Sequence, residues 1–342
     1  MIKKKSFLVV GIIMTTLLVT THFLKASDDI KPFLGCWALT LPDNVPGWIE
    51  IRQESGYLDG DLLWGWGSVV PLANVYMEGD KLIATRTLEM VRIEDDDGNP
   101  VRTQYITSQM VFTANGNQLK GTIYTPNSDG IGVREESVSG TKNPPLPDPP
   151  DLGKLKYGEK ISLFNGKDLT GWRMINPRSK NGFFVKDGAL INDPVQEEGK
   201  PHVNYGNLRT DQEFEDFNLK LEVNVPEKGN SGVYLRGIYE IQVFDSYGLP
   251  LDSHNMGGLY SRITPSENAE KPAGEWQTMD ITLCKRYLTV ILNGVTIIDN
   301  QPVKGITGGA LTSNEFKPGP IYLQGDHDKV MYRNIVLTPI ID

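Results

Sequence analysis

Cysteine and histidine are scarce in this chain, with two and four copies among 342 residues. Cys36 and Cys284 lie in opposite halves of the sequence, so no disulfide framework can be built, and both are expected as reduced, buried thiols. Three of the histidines, His202, His254 and His327, fall in the second half without any His-x-x-x-His spacing, so no zinc site is legible. Clusters of lysine and arginine are missing and the net charge is −9, which excludes nucleic acid as a partner because phosphate binding needs concentrated positive charge. A Gly-x-Ser-x-Gly elbow, a phosphate loop and a dinucleotide fingerprint are absent as well, which disfavours a serine triad and nucleotide chemistry. Helical periodicity is nearly absent, and beyond the amino terminus no apolar run approaches the ~20 residues of a membrane span.

What is present begins with a targeting signal. Lys3 to Lys5 precede an uncharged apolar run from Phe7 to Val19, and small Ala26 stands before Ser27. That pattern is a secretory signal peptide over residues 1–26, so the mature chain is expected to be exported, periplasmic or secreted, with no transmembrane segment. Cys36 lies too far past the apolar core to serve as a lipoprotein cysteine.

Glycine and proline are plentiful, at 35 and 22 residues, and they cut the chain into short apolar stretches. Lys142 to Pro150 holds five prolines in nine residues, which favours extended geometry and removes sheet donors, so residues 142–154 are expected as a semi-rigid linker. Before it, Trp48 to Ile51, Leu82 to Thr87 and Gln104 to Phe112 predict strands of an N-terminal β domain over 27–141, a small barrel or sandwich. Its Trp37, Trp48, Trp64 and Trp66 suit core packing or a sugar-stacking surface.

After the linker, strands are predicted at 217–225, 232–237, 239–244, 279–283, 287–292 and 330–337. Strict alternation over Asn218 to Val225 sends Leu219, Leu221, Val223 and Val225 to a core. Asn293-Gly294 predicts a hairpin, because a type I′ turn needs positive φ at both central residues. The result is an all-β chain with a two-sheet sandwich over 155–342.

Chemistry concentrates in two passages of that second half. Alternation from Gly229 to Asp245 places Tyr234 with Arg236 on one strand face and Glu240 with Gln242 on the next, which is either a surface ion pair or a polar sugar-binding wall. Gln324-Gly325-Asp326-His327-Asp328 sets a histidine between two carboxylates that could orient it and raise its basicity, or else it is a plain polar loop. Trp172 in Leu163 to Trp172 can plug the sandwich or touch ligand. Glu240 and Asp245 fall on opposite strand faces, which disfavours the paired carboxyls of an ordinary glycosidase.

Several of these passages, in this order, resemble the 3-keto-disaccharide hydrolase family: Leu163 to Trp172, Gly229 to Arg236, Glu240-x-Gln242-x-x-Asp245, Lys271 to Trp276, Gln324 to His327 and Arg333-Asn334-Ile335. The resemblance spans nearly all of 155–342 and none of 27–148. It implies a concanavalin-like jelly roll with a concave sugar-binding face, acting on glycosides oxidised at carbon 3. A ketone there acidifies the hydrogen on carbon 2, so a base can form an enolate that expels the glycosidic oxygen, and water then adds to the enone. On that chemistry His327 is expected as base, Arg236 as enolate stabiliser and Glu240 as proton donor, with the roles of His327 and Glu240 exchangeable. Tyr234, Gln242, Asp245, Lys271, Gln324 and Asn230 are expected to bind the substrate. No cofactor is required, although a divalent cation could replace Arg236 as electrophile. A non-catalytic carbohydrate-binding protein and a conventional glycoside hydrolase are the alternatives.

Overall fold

The computed structural model describes residues 29–197 and 199–341, so the expected signal peptide lies outside the described residues. Among the described residues the only helical pieces are 3-10 turns at Pro42–Asn44 and Leu152–Lys154, and no helix is long and apolar enough to cross a membrane.

The N-terminal half is one nine-stranded antiparallel sheet. Its strands are β1 (Gly35–Thr40), β2 (Pro46–Gln53), β3 (Leu58–Leu63), β4 (Val70–Pro71), β5 (Asn74–Glu78), β6 (Lys81–Glu94), β7 (Pro100–Asn115), β8 (Gln118–Pro126) and β9 (Val133–Lys142). They run in the order β4-β3-β2-β1-β9-β8-β7-β6-β5. Between β4 and β5, Leu72 donates its amide to Gly60 on β3 and Ala73 donates to Thr85 on β6, both at 2.8 Å. These two bonds tie the ends of the sheet together and roll it into a barrel, the first of the two expected forms. Alternate residues, among them Trp37, Leu39, Ile49, Ile51, Leu62, Met110, Phe112 and Ile123, fill its interior. The distal halves of β6 and β7 extend past the barrel as an exposed ribbon.

The second half is a sandwich of two antiparallel sheets. Its strands are β10 (Lys156–Tyr157), β11 (Ile161–Ser162), β12 (Trp172–Met174), β13 (Phe183–Lys186), β14 (Ala189–Asn192), β15 (Leu208–Thr210) and β16 (Phe217–Asn224). They continue as β17 (Asn230–Leu235), β18 (Tyr239–Phe244), β19 (Trp276–Cys284), β20 (Tyr287–Leu292), β21 (Val295–Pro302), β22 (Tyr322–Leu323) and β23 (Val330–Ile341). One sheet has the path β13-β14-β23-β16-β19-β20-β21, with β10 and β11 also paired to β23, and the other has the order β12-β15-β22-β17-β18. This is the expected all-β jelly-roll sandwich. Leu219, Leu221 and Val223 of β16 meet Val233, Leu235, Ile241 and Val243 of the facing sheet in one dry core. Truncating such a residue, Leu219→Ala for example, costs about 2–5 kcal/mol. The predicted hairpin is present, with φ of 51° at Asn293 and 87° at Gly294.

Trp172 plugs the sandwich. It is buried and donates its indole N–H to the Leu163 carbonyl at 2.6 Å. The Lys271 to Trp276 and Arg333-Asn334 passages also have structural work, because Arg333 lies over the Trp276 ring and joins Asn334 in binding Glu222 on the outer face.

The two halves share packing. Trp48 and Leu63 of the barrel join the sandwich core, and Arg262 covers the Trp48 ring at 4.3 Å. The proline segment between the halves is fastened down, with Tyr287 donating to the Pro147 carbonyl at 3.0 Å and Asn300 to that of Pro150 at 3.1 Å. Cys36 is half-buried, Cys284 is buried, and no bridge joins them.

Candidate active site

The outward face of the five-stranded sheet carries a polar grid, fixed by strand register. Tyr322 of β22 is level with Tyr234 of β17, which is level with Glu240 of β18. One step along, Gly232 is level with Gln242, and its carbonyl accepts the Gln324 amide at 3.1 Å. One further step brings Asn230. Val233, Leu235, Tyr239 and Ile241 point the other way into the core, as alternation demands.

Glycine at 232 is required by what lies across it. A Cβ there would stand 2.4 Å from Oε1 of Glu240, so the bare backbone is the cradle on which that carboxyl rests. Glu240 is 4% exposed, and burial pushes its pKa up to about 8, against a lowering hydrogen bond from Tyr234. The Tyr234 hydroxyl donates at 2.7 Å toward both Glu240 Oε2 and the Gly308 carbonyl, so its one proton is divided between them and offsets the burial of Glu240 only in part, which leaves Glu240 a neutral acid near pH 7. Tyr322 stacks on Tyr234 with ring centroids 3.9 Å apart and donates to the Gly309 carbonyl at 2.7 Å. Burial raises both phenols well above the ordinary value, so both remain protonated.

Above this grid lies a cavity of about 520 Å³. Among the described residues six have a buried side-chain polar atom without a partner, and three of them face this cavity: Asn230 Oδ1, Gln242 Oε1 and Gln324 Oε1. Buried acceptors are seldom left empty, so three together mark a place where a ligand supplies hydroxyl donors. A larger cavity of about 650 Å³ between barrel and sandwich differs in this respect. Its central carboxyl, Glu315, is already satisfied by the Tyr239 hydroxyl, the Gly305 amide and Asn143.

Six expected residues line the smaller cavity: Glu240, His327, Tyr234, Gln242, Gln324 and Asn230. Three do not. Arg236 was expected beside Tyr234 by continued alternation, but β17 ends at Leu235, and Arg236-Gly237 form the turn, with φ of 53° and 68°. The turn swings the guanidinium to the opposite side, where it donates to the carbonyls of Glu315 and Lys317. Asp245 accepts the Lys228 amide at 2.8 Å and braces the loop before β17. Lys271 donates its ammonium to the Trp276 carbonyl at 3.0 Å. The carboxylates flanking His327 do not orient it either. Asp326 takes the Tyr205 amide at 2.7 Å and lies 3.3 Å from His202 Nε2, and Asp328 takes the Asn230 amide at 2.9 Å. His327 itself is exposed at the cavity rim.

Tyr322, Tyr205, Asn207 and Tyr260 complete the lining together with Gly308-Gly309, and the barrel contributes Trp66 and Gly67. Of the four barrel tryptophans, Trp37 and Trp48 are buried, Trp64 is half-buried, and Trp66 is 71% exposed. Beside Trp66, Ser68 Oγ lies 2.8 Å from His254 Nε2, and His254 Nδ1 lies 2.5 Å from Asp252. This Ser–His–Asp string crosses from barrel to sandwich in solvent, with the Asp252 side chain 60% exposed, and it latches the barrel loop in place. Among the described residues no three His, Cys, Asp or Glu side chains converge as a metal site.

Solved structures with related strand arrangements include two candidate glycosyl hydrolases from Parabacteroides distasonis. One is 28% identical with a TM-score of 0.43, covering 57% of this chain and 93% of its own. The other is 22% identical with a TM-score of 0.44, covering 54% and 94%. A carbohydrate binding module from Bacillus subtilis, 11% identical, covers 48% and 93% at a TM-score of 0.31. No curated protein matches the sequence significantly. The model of the 3-keto-alpha-glucoside-1,2-lyase-like domain matches residues 159–338, a stretch that contains every sandwich residue of the grid. Because that match takes in more than half of the chain, the protein belongs to the 3-keto-alpha-glucoside-1,2-lyase-like domain family.

Proposed function

We propose that the chain cleaves glycosidic bonds of 3-keto-glycosides by elimination followed by hydration. Its family supports the coarser statement, an enzyme acting on glycosidic bonds. The finer reading is carried by one observation: a neutral carboxyl, Glu240, lies at the floor of a cavity among three carboxamide oxygens that lack donors. The leaving oxygen needs a proton near neutral pH, and a carboxyl with a pKa of about 8 is about nine-tenths protonated at pH 7. Glu240 is therefore the acid, and the base for the hydrogen on carbon 2 is His327. Arg236 is removed from the enolate role by its position. The carboxamides of Gln242, Gln324 and Asn230 are the side chains from which a developing enolate oxygen would then take its hydrogen bonds.

In the sequence of steps, His327 takes the proton from carbon 2, electrons move to the oxygen on carbon 3, and the bond from carbon 1 to the glycosidic oxygen breaks as Glu240 protonates that oxygen. Water then adds at carbon 1 of the enone, with Glu240 as base and His327 returning the proton to carbon 2.

The test is turnover of a chromogenic 3-keto-glucoside beside its unoxidised parent, each with and without chelator. Cleavage of the keto form alone supports the reading. Cleavage of the parent would instead make the chain an ordinary glycosidase, with Glu240 and Asp326 as its lining carboxyls, and binding without turnover would make it a carbohydrate-binding protein.

A further inference from the structure

We infer that Trp66, carried by the barrel, forms a stacking subsite for a sugar ring of the leaving group. This rests on the proposed reading for its chemistry and on four structural observations for its place.

The first is exposure. Five of the six tryptophans are buried or half-buried, and Trp66 stands 71% exposed. It sits between Gly65 and Gly67, whose φ values of 85° and 72° bend the chain sharply enough to present the indole outward. The second is that Trp66 and Gly67 border the cavity whose floor is the Glu240 grid. That floor offers amides and hydroxyls, which suit the edge of a sugar, whereas the flat C–H face of a ring is matched by an aromatic plane.

The third is that the loop is held firmly. Gly309 donates its amide to the Gly65 carbonyl at 3.1 Å, Val69 donates to Ser261 Oγ at 3.0 Å, and Ser68 meets His254 at 2.8 Å. Gly308 packs so closely that a Cβ there would lie 2.3 Å from the Gly67 carbonyl oxygen. The fourth is direction. The barrel loop packs against Gly308, whose carbonyl accepts from Tyr234, the partner of Glu240. Trp66 therefore borders the cavity beside the acid that protonates the departing oxygen.

The experiment compares the wild type with Trp66→Ala and Trp66→Phe on two 3-keto-glucosides, one with a methyl and one with a glucosyl leaving group. Trp66→Ala is expected to lower kcat/KM for the glucosyl substrate by about 3- to 10-fold, the worth of one ring contact, and to leave the methyl substrate unchanged, with Trp66→Phe restoring most of the loss. An equal loss on both substrates would show that Trp66 only supports the loop, and no loss on either would remove the subsite. Calorimetric titration with an unoxidised disaccharide and with glucose separates this inference from the proposed reaction. If the wild type turns over neither keto substrate, the reaction is wrong. The subsite stands even then if the disaccharide binds more tightly than glucose and Trp66→Ala abolishes the difference, and it falls if the variant keeps that difference.

Discussion

Replacing Glu240 by glutamine should make the protein more stable and less active at the same pH. Burial lifts the Glu240 pKa from 4.5 to about 8, so the folded state resists an ionisation that the unfolded chain undergoes freely. A raised carboxyl pKa is a stabilising influence only below about 4.5. As pH climbs from there, the unfolded state gives up the proton first, and stability falls by about 1.4 kcal/mol per unit until the folded carboxyl also ionises near 8. The full span amounts to at most about 5 kcal/mol. Glutamine has nearly the same shape and can accept the Tyr234 hydroxyl through its carbonyl oxygen, so the grid survives while this pH-dependent cost disappears. Thermal unfolding should show equal midpoints for wild type and Glu240→Gln at pH 4.5 and a gap that widens in favour of the variant up to pH 8. Turnover should move the opposite way, with a loss of about 10²- to 10⁴-fold on a sugar leaving group and a much smaller loss on nitrophenolate, which leaves without a proton. Equal midpoints at every pH would refute the buried neutral acid, and an equal activity loss on both leaving groups would refute its role as proton donor.

Four further outcomes follow from named contacts. Tyr234→Phe removes the hydrogen bond that holds the Glu240 pKa down, so the alkaline limb of the wild-type pH–rate profile, near 8, should shift upward in the variant. Gly232→Ala should abolish turnover without unfolding the sandwich, as read by circular dichroism, because its Cβ occupies the Glu240 cradle 2.4 Å from Oε1. Arg236→Ala should cost about 2–4 kcal/mol in chemical denaturation, by stranding the Glu315 and Lys317 carbonyls, yet leave kcat/KM of the folded fraction unchanged. A fluorophosphonate should leave Ser68 unlabelled in the wild type, since the solvent-exposed string serves as a latch; labelling at Ser68 would reassign it as a nucleophile.

The sandwich was legible because its signals are local. Alternation over residues 218–225 and the Asn293-Gly294 pair need only the neighbouring residues to specify a strand and a turn. The polar grid was legible for the same reason, as far as alternation held, and it failed at Arg236, where two positive φ values ended the strand two residues earlier than the side-chain pattern implied. Asp245 and Lys271 went astray differently: both sit near motifs, but their partners are backbone groups brought close by loops, which no periodicity reports. Tyr322 was missed because the two residues of β22 are too few to reveal a face, and Tyr205 and Asn207 because they lie in the irregular chain before β15. The place of Trp66 at the cavity was invisible because it is set by contacts between distant parts of the chain, Gly65 with Gly309 and Ser68 with His254.

The first and last strands of the sandwich lie side by side, with Lys156 and Tyr157 level with Ile341 and Ile340, and Ile161 level with Leu337. A module whose two ends emerge at one seam can gain or lose a neighbour at a single place in the chain. Here the neighbour is no free passenger, because Trp48 and Leu63 of the barrel fill part of the sandwich core. Splicing a gene at the seam would succeed only with a new head that refills those two positions.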